Sequence, residues 1–184
     1  MKNNLKKIEI VKWQEGINLQ GFSRKKIFDS IQEIDRSVFH ENGLATPESD
    51  IERYKAYKDS YIFALCENKI IGYLCYFPIT ENFYKSVIRG EKVYDGDIAS
   101  IDICNLNDNS NYLFLLSVAI SPEYHKMGIS RRFSEILVRE FSEIAIKDMV
   151  SYAFTSAGEH FLGHFGLKNY KEMEDGIKLM RRLP

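Results

Sequence analysis

The sequence has no apolar run approaching the roughly 20 residues that a bilayer-spanning helix requires, which argues against membrane insertion. Nor does it carry a charge excess of either sign. Its net charge of -1 supplies no clustered basic face of the kind that nucleic-acid binding needs. Cysteine is scarce: Cys66, Cys75 and Cys104 are odd in number and lack metal-ligand spacing, so they read as buried free thiols rather than disulfides or zinc ligands. Internal repeats and low-complexity linkers are missing as well, which argues against a second domain. Met1 to Lys7 is polar and basic with no apolar segment behind it, unlike a secretory signal, so a cytoplasmic location is expected. What is present is 184 residues, 45% of them hydrophobic, enough to bury one good core, and a single domain over 1–184 is predicted.

Periodicity divides the chain into alternating strands and helices. Lys7 to Lys12 alternates with Ile8 and Ile10 on one face, predicting a first strand. Ser23 is placed to cap a helix whose Ile27, Ile31, Ile34 and Val38 share a face, ending before the turn Glu41-Asn42-Gly43. Thr46-Pro47 starts a second helix carrying the stripe Ile51, Tyr54, Tyr57. Tyr61 to Cys66 and Ile70 to Pro78 read as a hairpin around Glu67-Asn68-Lys69, with Gly72 permitting close packing. An insertion at about 80–111 follows, longer than a usual connection. It is predicted to hold a short helix, Glu81 to Arg89, and an extra strand, Ile98 to Cys104. Asp95-Gly96-Asp97 and Asn107 to Asn111 are turn-forming clusters whose spacing is wrong for a calcium loop. Val150 to Thr155 has strand character, Ala157 to Phe165 makes a short helix stopped by Gly166, and Leu167 to Met173 and Ile177 to Arg182 bracket a hairpin turn at Glu174-Asp175-Gly176.

The most informative stretch runs from Tyr112 to Phe141. Tyr112 to Ile120 is almost continuously apolar, as a strand covered on both faces is, and Ser121-Pro122 ends it. Ile129, Phe133, Ile136, Leu137, Phe141 and Ile144 then recur at helical spacing, so a helix starts near Gly128. The first turn of a helix presents unpaired N–H groups and a partial positive charge, a setting that favours phosphate oxygens. Gly128 lets a ligand approach the backbone, and Lys126 and Arg131 can add positive charge.

His125-Lys126-Met127-Gly128-Ile129-Ser130, following Val118 to Tyr124, resembles the acetyl-CoA motif of the GNAT superfamily, the GCN5-related N-acetyltransferases, which reads Gln/Arg-x-x-Gly-x-Gly/Ala. Gly128 falls on the central glycine; His125 and Ser130 depart from the pattern. The order of elements is similar to the whole GNAT fold. The resemblance therefore implies an α/β (α+β) chain with a mixed, mostly antiparallel twisted sheet of about six to seven strands flanked by about four helices. It implies acetyl-CoA as co-substrate and direct attack of a primary amine, on a small molecule or peptide, at the thioester. It assigns cofactor contacts to Val118, Ile120, His125, Lys126, Met127, Gly128, Ile129, Ser130, Arg131 and Thr155, and suggests that the two early helices, with Phe39, Tyr54 and Tyr57, line the acceptor pocket. No metal, nucleic acid or membrane partner is implied, and the state is monomer or homodimer.

Catalytic groups are where the chain departs from its relatives. Ser117 stands where many of them carry a carboxylate on the central strand. Leu162 stands where many carry the tyrosine that protonates the leaving thiolate. A lysine-like amine has a pKa near about 10.4, so a base must take its proton. Ser117 and Glu159 are the candidates, with His160, His164, Glu81 and Asp102 as further substitutes and Cys75 or Cys104 as acetyl carriers only if activated. The rival reading is a catalytically degenerate acyl-CoA-binding sensor or interaction module.

Overall fold

The computed structural model describes residues 7–13, 22–39, 45–92, 94–106, 111–173 and 176–182. The predicted turn at 41–43, most of the cluster at 107–110 and residues 174–175 of the last turn lie outside the described residues. Seven strands form one sheet: β1 (Ile8–Lys12), β2 (Tyr61–Cys66), β3 (Lys69–Ile79), β4 (Asn111–Ile120), β5 (Ile146–Ala153), β6 (Leu167–Glu172) and β7 (Lys178–Arg182), in the spatial order β1-β2-β3-β4-β5-β7-β6. β4 and β5 run parallel, and the other five neighbouring pairs are antiparallel. Glu67 and Asn68 both take positive φ, as a two-residue turn matched to the twist of its strands requires, so β3 begins at Lys69.

Among the described residues, five helices cover the two faces: α1 (Arg24–Val38), α2 (Pro47–Ala56), α3 (Glu81–Arg89), α4 (Ile129–Phe141) and α5 (Ser156–Gly163). Four of them start at a hydroxyl that accepts a backbone N–H of the first turn, from Ser23, Thr46, Thr80 and Thr155. On one face α1, α2 and α3 bury Ile27, Phe28, Ile31, Tyr54, Phe83 and Val87 against Trp13, Phe63, Phe77 and Phe114. Trp13 stacks on Tyr54 at 4.0 Å, so Tyr54 belongs to the core rather than to a ligand cage. On the other face α4 and α5 bury Ile129, Phe133, Leu137, Phe161 and Leu162 against Ile62, Leu74, Leu113 and Leu115. No helix among the described residues is long and apolar enough to cross a membrane.

The insertion holds α3 as predicted but not the extra strand at Ile98 to Cys104. Ser100–Asp102 is a single 3-10 turn, and Ile103 makes one isolated bridge to Ile79. The reason is local: Asp102 Oδ2 accepts the Ala99 N–H at 2.9 Å, closing a tight turn that competes with an extended ladder. The insertion is fastened to α2 through buried Arg53, whose guanidinium lies 2.5 Å from Asp50 and 2.9 Å from Asp95. Asp148, also buried, holds α3 to the sheet by accepting from Tyr84 and Arg181, each at 2.5 Å.

Gly72 brings β3 and β4 close together, since a Cβ there meets the Ala119 carbonyl oxygen at 3.0 Å and the Ile120 Cα at 3.3 Å. These are backbone atoms that cannot swing aside. Gly72→Val is therefore expected to lower stability by about 1–3 kcal/mol, read as a lower urea midpoint. Gly96→Ala, where a Cβ meets nothing within 4 Å, is expected to stay within about 0.5 kcal/mol of the parent.

Candidate active site

The parallel pairing of β4 with β5 ends halfway along β4. Its last register is Leu115 with Ser151, and the Ser151 hydroxyl donates to the Leu115 carbonyl at 2.6 Å. On the opposite side, Tyr76 of β3 faces Leu115 while Cys75 faces Ser117, so Leu116 is an extra residue, a β-bulge that bends the strand. Beyond it no residue of β5 pairs with Leu116 to Ile120. Burial records the same break: Asn111 to Leu115 are buried, whereas Leu116, Ser117 and Val118 are partly exposed. The result is a strand edge in the middle of a sheet, ready to accept an extended ligand by backbone pairing.

The open edge leads into the anion loop. Pro122–Tyr124 forms a 3-10 turn that buries Tyr124, Lys126 takes φ 63° and Gly128 takes φ 72°. A left-handed lysine costs of order 1 kcal/mol, a strain of the kind that accumulates at binding loops. Alone among the five helices, α4 starts without a side-chain cap, at Gly128, and open space surrounds the Cβ position there. Its first-turn N–H groups are thus left to a ligand or solvent. The His125 ring reaches back and donates from Nε2 to the Ile120 carbonyl at 2.8 Å, which fixes the proton on that nitrogen and ties the loop to the strand. Arg131 is 84% exposed and pairs with Glu135 one turn on. From Arg131 an open groove of about 640 Å³ runs along Val138 and Arg139 toward His164.

On the other face of β4, Ser117 meets a buried chain of hydroxyl and carboxyl groups. The Tyr73 hydroxyl lies 3.0 Å from Ser117 Oγ and donates its proton to the Asp35 carboxylate on α1. A phenol has one proton. With that proton given to Asp35, Ser117 must be the donor to Tyr73, leaving lone pairs of Ser117 Oγ for an incoming N–H. Burial raises the Asp35 carboxyl to about 7; the Tyr73 hydrogen bond opposes this, Asp95 and Asp50 add to it, and Arg53 again opposes. Tyr73 is pushed well above its ordinary range, chiefly by burial and then by Asp35, so it stays a neutral phenol.

Of the residues that the sequence singles out, Ser117, Val118 and Ile120 stand on the open edge, and His125 to Arg131 form the loop beside it. Thr155 caps α5 by accepting from Gly158 at 3.0 Å and keeps a hydroxyl proton to donate. Glu159 pairs with Lys178 of β7 at 2.7 Å, and His160 and His164 pack on each other, so none of the three joins the Ser117 chain. Leu162 is buried in the core. Glu81 pairs with Lys85 on α3, and Asp102 is committed to its own turn. Burial raises the thiols of both Cys75 and Cys104, which makes them poor nucleophiles. Phe39 packs partly buried against the α1 and α2 core, and Tyr57 meets Tyr76 edge-on.

Asp35 and Tyr73 were not among the sequence candidates. One signal pointed to the first. Asp35 falls on the apolar stripe of α1, four residues after Ile31, where a carboxylate is out of place.

No curated protein sequence matches the chain. Solved structures do, as folds. The loading GNATL domain of CurA from Lyngbya majuscula is 12% identical with a TM-score of 0.65, covering 95% of this chain and 96% of that one. The PaiA N-acetyltransferase from Thermoplasma acidophilum, in complex with coenzyme A, is 13% identical with a TM-score of 0.55 over 97% and 99%. Naa50 from Arabidopsis thaliana, in complex with the bisubstrate analogue CoA-Ac-MVNAL, is 9% identical with a TM-score of 0.59 over 96% and 99%. The model of the acetyltransferase (GNAT) family matches residues 28–161, a span that includes the open edge, the uncapped helix and the Asp35 chain, and the protein belongs to that family.

Proposed function

We propose that the protein transfers the acetyl group of acetyl-CoA to a primary amine of a small molecule or peptide. The observation that carries this reading is the succession along the chain of two backbone sites, the β4 edge beyond Leu115 that β5 does not pair and the uncapped start of α4 at Gly128. Together they fit an extended arm ending in a diphosphate. The structural relatives holding coenzyme A or a CoA-peptide conjugate support the same ligand class. The backbone of Val118 and Ile120 would hold the pantetheine arm, the amides from Gly128 to Arg131 the diphosphate, and the groove past Arg139 the nucleotide end. Bound there, acetyl-CoA supplies an acyl group activated as a thioester. The chain's own part is to orient the arm, polarise the carbonyl through strand N–H groups in the manner of an oxyanion hole, and bring the amine to the Ser117 side.

A sensor that binds acyl-CoA without turnover is favoured by one observation, the buried Leu162 where relatives carry a proton-donating tyrosine. Release of coenzyme A across a panel of primary amines separates the two readings: binding without release on any amine favours the sensor.

The loop has its own test. Asparagine tolerates left-handed backbone, so Gly128→Asn keeps the fold while placing a side chain in the open cradle. Calorimetry is expected to show acetyl-CoA affinity reduced by at least about tenfold, or about 1.4 kcal/mol, with thermal stability close to the parent. Unchanged affinity would place the diphosphate elsewhere.

A further inference from the structure

We propose that Ser117, Tyr73 and Asp35 form a proton relay that takes a proton from the incoming ammonium group and deposits it on the α1 carboxylate. The proposal rests on the acyl-transfer reading above and names how its amine is freed. Contact with the amine is made by Ser117; Tyr73 and Asp35 act through it.

The geometry sets the direction of transfer. In the resting chain Ser117 donates to Tyr73 and Tyr73 to Asp35, so Ser117 Oγ faces the partly exposed edge as an acceptor. An ammonium N–H bonds to that oxygen. When the proton moves, the N–H bond breaks as an O–H bond forms on Ser117, the Ser117 proton passes to Tyr73, and the Tyr73 proton passes to Asp35. Both hydroxyls end with one proton each. The net change is ammonium plus carboxylate to neutral amine plus carboxylic acid, with no other reactant. The same chain running backward returns the proton to the site, and thence to water, once the product leaves.

The surroundings suit Asp35 to the task. Arg53 is committed to Asp50 and Asp95, at 2.5 Å and 2.9 Å, and no lysine or arginine among the described residues pairs with Asp35. The groups facing it are Asp50 and Arg53 from α2, Asp95 from the insertion and Tyr73 from β3, with Tyr61 and Cys75 around Arg53. Asp50 and Asp95 take up the one guanidinium, so the excess negative charge draws a cation toward Ser117 and favours protonation of Asp35. Burial and neighbouring charge hold Tyr61, Tyr73 and Cys75 protonated, while the flanking carboxylates keep Arg53 charged. A carboxyl at about 7 is matched to taking a proton near neutral pH.

The test pairs alkylamines with their β,β,β-trifluoro analogues, whose nitrogen is so weakly basic that it is already neutral near pH 7. Acetyl-CoA is the donor and release of coenzyme A is the readout. For the alkylamines, the wild-type kcat/KM is expected to rise with pH through an inflection near about 7. Asp35→Asn, Tyr73→Phe and Ser117→Ala are expected to lose about 10²-fold and that inflection, while rates on the trifluoro amines stay within a few-fold of wild type. Ser117→Thr, which restores the hydroxyl, is expected to recover most of the loss. An equal loss on both amine classes would make the chain a packing feature and overturn the relay.

Thermal unfolding gives a readout independent of turnover. A native carboxyl at about 7 against its ordinary 3.8 binds its proton more tightly folded than unfolded, so wild-type stability falls as pH rises across that window. Asp35→Asn removes this penalty. Its Tm relative to wild type is expected to climb from pH 4 to 7 and level off above; a pH-independent difference would overturn Asp35 as the proton sink. Failure of the wild type to bind acetyl-CoA or to release coenzyme A with any amine would instead overturn the acyl-transfer reading and the relay with it.

Discussion

The site depends on the ending of β4–β5 pairing at Leu115. Up to that point β4 is an ordinary central strand, buried on both faces and bonded on both sides. The bulge at Leu116 then changes three things at once. It exposes backbone groups that a closed sheet would pair, it places Ser117 on the α1 face next to Tyr73, and it leaves the end of β4 separate from β5 where the loop to α4 begins. Each ladder bond forgone is worth about 0.5–1.5 kcal/mol, and a ligand that pairs with the edge recovers it. The mouth is held open by the structure on either side. Ser151 closes off the last carbonyl and His125 fastens the loop to Ile120.

The two faces of the sheet contribute differently. Under α4 and α5 the packing is apolar and tight, with Phe133 and Leu137 fully buried, so the start of α4 is fixed in position by ordinary core contacts. Under α1, α2 and the insertion the packing encloses Asp35, Asp50 and Arg53, with Asp95 partly exposed at the margin. A buried ionic cluster is a poor source of stability compared with apolar residues of the same size. On the side that Ser117 faces, Arg53 pairs with Asp50 and Asp95, and Asp35 is bonded to Tyr73, one phenol away from Ser117.

Much of the fold was legible because its signals are local. A hydroxyl before an apolar periodic run marked two helix starts, at Ser23 and Thr46, and both accept the bonds expected of caps; Thr80 and Thr155 prove to do the same for α3 and α5. The continuous apolar run of β4 and the single glycine at 128 located the loop. Ile98 to Cys104 misled because branched residues suggest a strand, while the acidic side chain that folds the segment into a turn acts across three residues. The bulge was not legible, since nothing in Leu115-Leu116-Ser117 distinguishes an extra residue from a paired one. The Asp35 chain was not either: its members lie on α1, β3 and β4, and only the folded sheet brings a carboxylate within reach of a tyrosine 38 residues away. Homologous position pointed to Ser117 and to α5, where Glu159 pairs with Lys178 of β7 and His160 packs on His164.

A site with a route for the amine proton but an apolar residue at the thiolate side is chemically consistent. The two proton transfers are unequal in difficulty. An alkylamine with a pKa near about 10.4 is almost wholly protonated at neutral pH and cannot attack until a base acts, whereas a thiol near about 8.5 leaves as an anion only modestly uphill. The same loss of one proton-transfer group therefore costs more on the amine side than on the thiol side. With Leu162 buried in the core, a thiolate leaving in the proposed reaction would take its proton from water or from the positively charged attacking nitrogen of the tetrahedral intermediate. Under the proposed relay the amine has the Ser117 hydroxyl. On this arithmetic the proposed acyl transfer would keep the group it can least do without, with the buried carboxylate on α1 serving the open edge of β4.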